Sequence, residues 1–150
     1  MLYKLLIGFE VIPTQPISDE TFKIELKITN IGDSTFPGGE LTYFGVSYGG
    51  GTGGATQSMN ESALPKVPVI KVNESIKLGP QTFTGLVDGI AAVSIEIAAT
   101  DKAQVSLFQN STYEMGKRWT NVFKVRNRDT VKTLESLQKI VDLLEKGQKQ

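Results

Sequence analysis

"TFKIELKITNIGD", residues 21–33, alternates apolar and polar side chains for nine residues and then changes character. Phe22, Ile24, Leu26 and Ile28 fall on one side, and Lys23, Glu25, Lys27 and Thr29 on the other, the pattern of a strand with one buried and one wetted face. Asn30-Ile31-Gly32-Asp33 and Pro37-Gly38-Gly39 then supply turn residues, so this stretch reads as a sheet strand and its corner. Here Gly32 is expected to provide a backbone angle that few residues accept cheaply, while Asn30 and Asp33 bond neighbouring amides.

The same period recurs on both sides. Tyr3, Leu5, Ile7, Phe9 and Val11 form an earlier strand; Ala91, Val93, Ile95, Ile97 and Ala99 form a later one, with Ser94 and Glu96 outward. A short strand is expected around residues 105–108, and Trp119, Asn121, Phe123 and Val125 share one side of the last. Residues 41–48 carry apolar groups on both faces, which predicts a central or covered strand. Short strands are expected around residues 69–72 and 76–78 with a turn at Asn73-Glu74, and Gly79-Pro80 is expected to break the chain. From Thr130 the period changes: Val131, Leu134, Leu137, Ile140, Val141 and Leu144 recur at three- and four-residue steps, with Lys132, Glu135, Lys139, Asp142 and Lys146 opposite. That predicts an amphipathic helix over 130–146, with Asp129 as N-cap and Gly147 as its stop.

Together these elements predict an all-β, immunoglobulin-like antiparallel β-sandwich of seven or eight strands over residues 1–128, followed by one C-terminal amphipathic α-helix over 129–147. A small closed barrel is the structural alternative. The helix packs on the sandwich or mediates association; packed on the sheet, it would cover the second apolar face of residues 41–48.

Composition narrows the chemistry. A chain of 150 residues with 39% hydrophobic and 21% charged residues suits one folded domain. Sixteen basic residues balance sixteen acidic ones, so no basic face for nucleic acid is expected. Because the chain lacks both cysteine and histidine, thiolate nucleophiles, imidazole bases and the usual zinc or copper spheres are ruled out. Near the N-terminus the apolar run from Leu5 to Phe9 is too short for a leader core or a membrane span. A complete chain is therefore expected in the cytoplasm, and a fragment of an exported protein at the cell surface.

Residues 7–101, about two-thirds of the chain, resemble the CARDB-type (cell-adhesion-related) immunoglobulin-like domains of bacteria and archaea. Asn30-Ile31-Gly32 matches that family's strand ending in Asn-x-Gly; Asn73-Glu74-Ser75-Ile76-Lys77-Leu78 matches its second element, with Asn73 where the family often has glycine; Val93-Ser94-Ile95-Glu96-Ile97 through Asp101 matches its closing strand. The resemblance implies a surface or interaction module, prokaryotic, with no catalytic residues to carry over.

Candidate sites are few. The glycine-rich residues 49–54 lack the Gly-Lys-Ser/Thr ending of a phosphate loop and read as a flexible tip, with Tyr43, Phe44 and Tyr48 at its base as contact groups or as core. Leu137, Val141 and Leu144 are the candidate contacts on the helix. Carboxylates are the acid-base groups left for an enzyme, so a carbohydrate-active hydrolase would need two of Glu25, Glu40 and Glu96 to converge in an aromatic-lined cleft. A calcium ion would need Asp33 with Asp88 or Asp101 at one end. Asn-x-Ser/Thr sequons stand at Asn60, Asn73 and Asn110. The expected function is a non-catalytic binding or structural module that uses no cofactor and engages a protein partner or itself, with a glycan as a further partner class.

Overall fold

The computed structural model describes residues 1–48, 56–58, 64–84 and 87–148. Its strands are β1 (Leu2–Ile12), β2 (Thr21–Asn30), β3 (Gly39–Tyr48), β4 (Thr56–Ser58), β5 (Lys66–Val67), β6 (Ser75–Thr84), β7 (Gly89–Ala99), β8 (Gln104–Phe108), β9 (Glu114–Gly116) and β10 (Arg118–Val125), with α1 (Arg128–Gln148) last. Two sheets form, ordered β6-β2-β1-β8-β9 and β10-β7-β3-β4, with β5 also on β3. This is an all-β sandwich with a C-terminal helix. It is not a closed barrel. Seven strands have five or more residues; the three shorter ones, which sequence periodicity cannot resolve, are edge pieces. Every pairing is antiparallel except β1 with β8.

The alternating residues meet between the sheets. Ile24, Leu26 and Ile28 of β2 and Val93 and Ile95 of β7 are fully buried in one core, and Trp119 of β10 stacks edge-on to Phe9 of β1 at 5.5 Å between ring centroids.

The two apparent apolar faces of residues 41–48 have one cause. Leu41 pairs with Ile97 and Tyr43 with Glu96, so β3 carries an extra residue, and the bulge returns Phe44, Val46 and Tyr48 to the face that Leu41 occupies. A bulge shifts the phase of alternation by one, which on paper resembles a strand apolar on both sides.

Gly79-Pro80 does not break its strand. The pair is itself a bulge, two residues of β6 opposite Glu25 of β2, and β6 is an edge strand, where a missing N–H is tolerated. Residues 69–72 form no strand: Ile70 makes a single bridge to Phe36, and both are fully buried, while Val69 and Val72 stay exposed.

At the corner that ends β2, Asn30 is 1% exposed and fully engaged. Its Nδ2 donates to the Ser34 and Ile70 carbonyls at 2.9 and 2.8 Å, and its Oδ1 accepts from Gly32 N at 3.0 Å. Gly32 keeps an ordinary backbone conformation; what it contributes is room, since a Cβ there would lie 3.3 Å from the Lys4 nitrogen. The position that demands glycine is Gly39, where a Cβ would fall 2.0 Å from the Ala98 carbonyl oxygen across the ladder.

Candidate functional site

α1 begins from a fixed base. Arg126 N donates to the Pro16 carbonyl and Ser18 N to the Arg126 carbonyl, both at 2.8 Å, and Arg128 N donates to Ser18 Oγ at 3.0 Å. The cap is Asn127, whose Oδ1 accepts from Thr130 N at 2.9 Å and whose carbonyl accepts from Val131 N at 3.0 Å. Asp129, expected as the cap, lies instead in the first turn, where its charge still complements the helix dipole. Both residues are competent cap types; anchoring of Arg126 and Arg128 to the segment around Ile17 selects Asn127. Nor does Gly147 stop the helix, which continues through it to Gln148.

Beyond its root α1 packs on neither sheet. Residues 132–147 are all exposed, including Leu134 (60%), Leu137 (52%), Ile140 (53%), Val141 (45%) and Leu144 (63%). Of the two alternatives for the helix, packing over β3 finds no support among the described residues: the bulge leaves β3 no second apolar face to cover. At 100° per residue these five side chains fall within a sector of about 120°. The acidic Glu135 and Asp142 and the basic Lys132, Lys139 and Lys146 lie on the far side, leaving the apolar stripe free of charge. No helix of the described residues is long and apolar enough to cross a membrane.

The aromatic candidates separate. Phe44 and Tyr48 are 1% and 2% exposed and belong to the core. Tyr48 donates its hydroxyl to the Thr84 carbonyl at 2.5 Å, and burial pushes its ionisation up to about 12. Only Tyr43 faces outward, half-buried beneath Arg118, whose guanidinium carbon sits 4.6 Å from the ring centroid and whose Nη2 bonds Glu96 Oε2 at 2.8 Å. That carboxylate holds the guanidinium of Arg118 above its ordinary value. Arg118 escaped notice in the sequence because it sits 22 residues from Glu96 and 75 from Tyr43, and only strand register unites them. The residues 49–54 and Asn60 lie outside the described residues.

The three carboxylates proposed for hydrolysis divide between the two sheets. Glu25 is on the outer face of the β1-β2 sheet, opposite Glu10 and 3.6 Å from Lys77 Nζ, whereas Glu40 and Glu96 are on the other sheet, with Glu96 held by Arg118. Asp88 and Asp101 flank opposite ends of β7, about 35 Å apart along an extended strand, so Asp33 can share an end with only one of them. Asp101 is already engaged: it accepts the Tyr3 hydroxyl at 2.5 Å and Ala103 N at 3.0 Å, which keeps its carboxyl below the usual range. Asn110 uses its side-chain oxygen to close its own turn through Thr112 N and Tyr113 N, and Asn73 takes a left-handed turn conformation at φ 67°.

No family model matches this chain, and no curated protein matches it either.

Proposed function

We propose that this chain is a non-catalytic immunoglobulin-like module that engages a protein partner through α1, and that the partner is a second copy of the chain. The observation that carries the reading is the uncharged apolar stripe of α1, 45–63% exposed along five residues on a helix whose root is pinned to the sandwich. In helical register Leu134 and Val141 alternate with Leu137 and Leu144 as the seam of a two-helix contact, with Ile140 on one flank and Gln138 and Glu145 on the other. Pairing two such stripes brings no like charges together.

The energetics favour a reversible contact. Each side chain, already half-covered by its own helix, gains about 1 kcal/mol on full burial. Five per copy supply about 10 kcal/mol, within the roughly 4–15 kcal/mol that association costs. The resemblance of residues 7–101 to adhesion-related domains supports the same reading.

Sedimentation velocity of the full chain from low to high micromolar concentration tests this. The weight-average mass should climb from one chain toward two, and Leu137→Glu/Leu144→Glu should remain a monomer with an unchanged sandwich melting temperature. A wild-type chain that stays monomeric throughout overturns self-pairing.

A further inference from the structure

The edge of the sandwich where β9 passes into β10 contains a second recognition feature, independent of α1. β9 ends at Gly116 in one sheet and β10 begins at Arg118 in the other, so the chain crosses between sheets at Lys117. This crossover leaves two short lengths of strand without a neighbour. β8 pairs with β1 along its whole length, but β9 meets it only at Leu107 and Phe108, so among the described residues Gln104, Val105 and Ser106 have no strand on that side. On β7 the pairing with β10 stops at Glu96, leaving Ile97, Ala98 and Ala99 open in the same way.

Between these open lengths lies a cleft of about 470 Å³, within the range of ligand pockets. Its apolar walls come from Ile97, Ala99, Ala103 and Val105. Lys102, in the β7–β8 turn, and Lys117, at the crossover, also line it; both are exposed, and among the described residues neither is in an ion pair. The one acidic group lining it, Glu114, is engaged by the hydroxyl of buried Ser106 at 2.5 Å.

We propose that this cleft binds an extended acidic peptide, which adds as a short strand to the open edge of β8. The backbone geometry favours a peptide. Gln109 N donates to the Tyr113 carbonyl on the β9 side, and because backbone groups alternate along a strand, Val105, four residues earlier, turns its N–H and C=O to that same side, into the cleft. Three residues of strand span about 10 Å, room for a peptide that makes main-chain bonds to Val105, seats one apolar side chain against Ala103 and Ile97, and sends its carboxylates to Lys102 and Lys117. Lysines also serve to guard open strand edges against chance pairing, so the experiment must separate a receptor edge from a guarded one.

The probe is acetyl-Val-Glu-Val-Glu-Val-amide, titrated into the full ¹⁵N-labelled chain and followed by amide chemical shifts. Saturable changes are expected at Val105, Ile97 and Lys117. The counterpart with lysine in place of glutamate should bind at least tenfold more weakly, and the surface variant Lys102→Glu/Lys117→Glu should lose the glutamate peptide by a similar factor. Ala103→Phe, which fills the cleft, should abolish binding at an unchanged melting temperature. The Leu137→Glu/Leu144→Glu chain should bind as the wild type does, which keeps this result separate from the fate of α1. Changes that do not saturate, or equal affinity for the two peptides, overturn the proposal and leave the lysines as edge guards.

Discussion

β7 and α1 both carry strong amphipathic patterns, and the two patterns meet opposite fates. Along β7 the apolar residues Val93 and Ile95 are fully buried between the sheets; along α1 the apolar residues Leu137 and Leu144 are 52% and 63% exposed. The difference lies in what stands opposite. β7 has β10 and β3 on its two edges and the other sheet across its inner face, whereas α1 follows the last strand, and the sheet it was expected to cover has spent its apolar residues inward. A periodic pattern specifies that a face will be buried without specifying by what, because the hydrophobic effect has no direction of its own.

The sharpest way to break this comparison is to truncate one residue in each region. Ile95→Ala should cost about 2–5 kcal/mol of unfolding free energy by chemical denaturation, since it opens a cavity in a fully packed site. Leu137→Ala, in dilute solution, should stay within about 0.5 kcal/mol, as for an exposed surface position. Equal costs would mean that α1 packs on its own sandwich after all.

A smaller effect belongs to the corner. Asn30→Ala should cost about 1–3 kcal/mol, because it removes a buried side chain that bonds the Ser34 and Ile70 carbonyls and Gly32 N at once, although Phe36 N still reaches the Ile70 carbonyl. Urea melts of the variant give the value directly; a cost near zero would make the corner as dispensable as an exposed turn.

The smallest effect should be confined to the helix. Asn127→Ala should remove about 1 kcal/mol of local helix stability and lower the helical circular-dichroism signal, leaving the sandwich transition in place, while Asp129→Ala should do less. Equal losses from the two substitutions would return the cap to Asp129.

Much of the fold was legible because the strands are regular. Phe22 through Ile28 and Ala91 through Ala99 keep strict alternation over lengths that only a half-buried strand supports, and both are found as read. Where reading failed, a local irregularity stood behind it. The bulge in β3 disguised one inward face as two, and the bulge at Gly79-Pro80 let a strand pass through residues that ordinarily end one. Phe36 and Ile70, fully buried, belong to no periodic run and were invisible for that reason. Of the candidate contacts, Leu137, Val141 and Leu144 are presented to solvent and Tyr43 is half so, while Phe44 and Tyr48 were drawn into the core by the phase shift at the bulge.

By itself the sequence determined the class of the molecule: alternating strands closed by Asn and Gly corners, one helix of a different period, and no histidine or cysteine to support the commonest site chemistries. Those are local properties, set by side-chain period and backbone preference within a few residues. The tertiary structure alone decided which strands neighbour which, that the chain crosses sheets at Lys117 and leaves the edges of β7 and β8 open, that Arg118 covers Tyr43, and that α1 extends with its apolar stripe uncovered. Each of these depends on pairing between residues far apart in the chain, and register across a sheet is fixed by the whole set of strands competing for the same inner face.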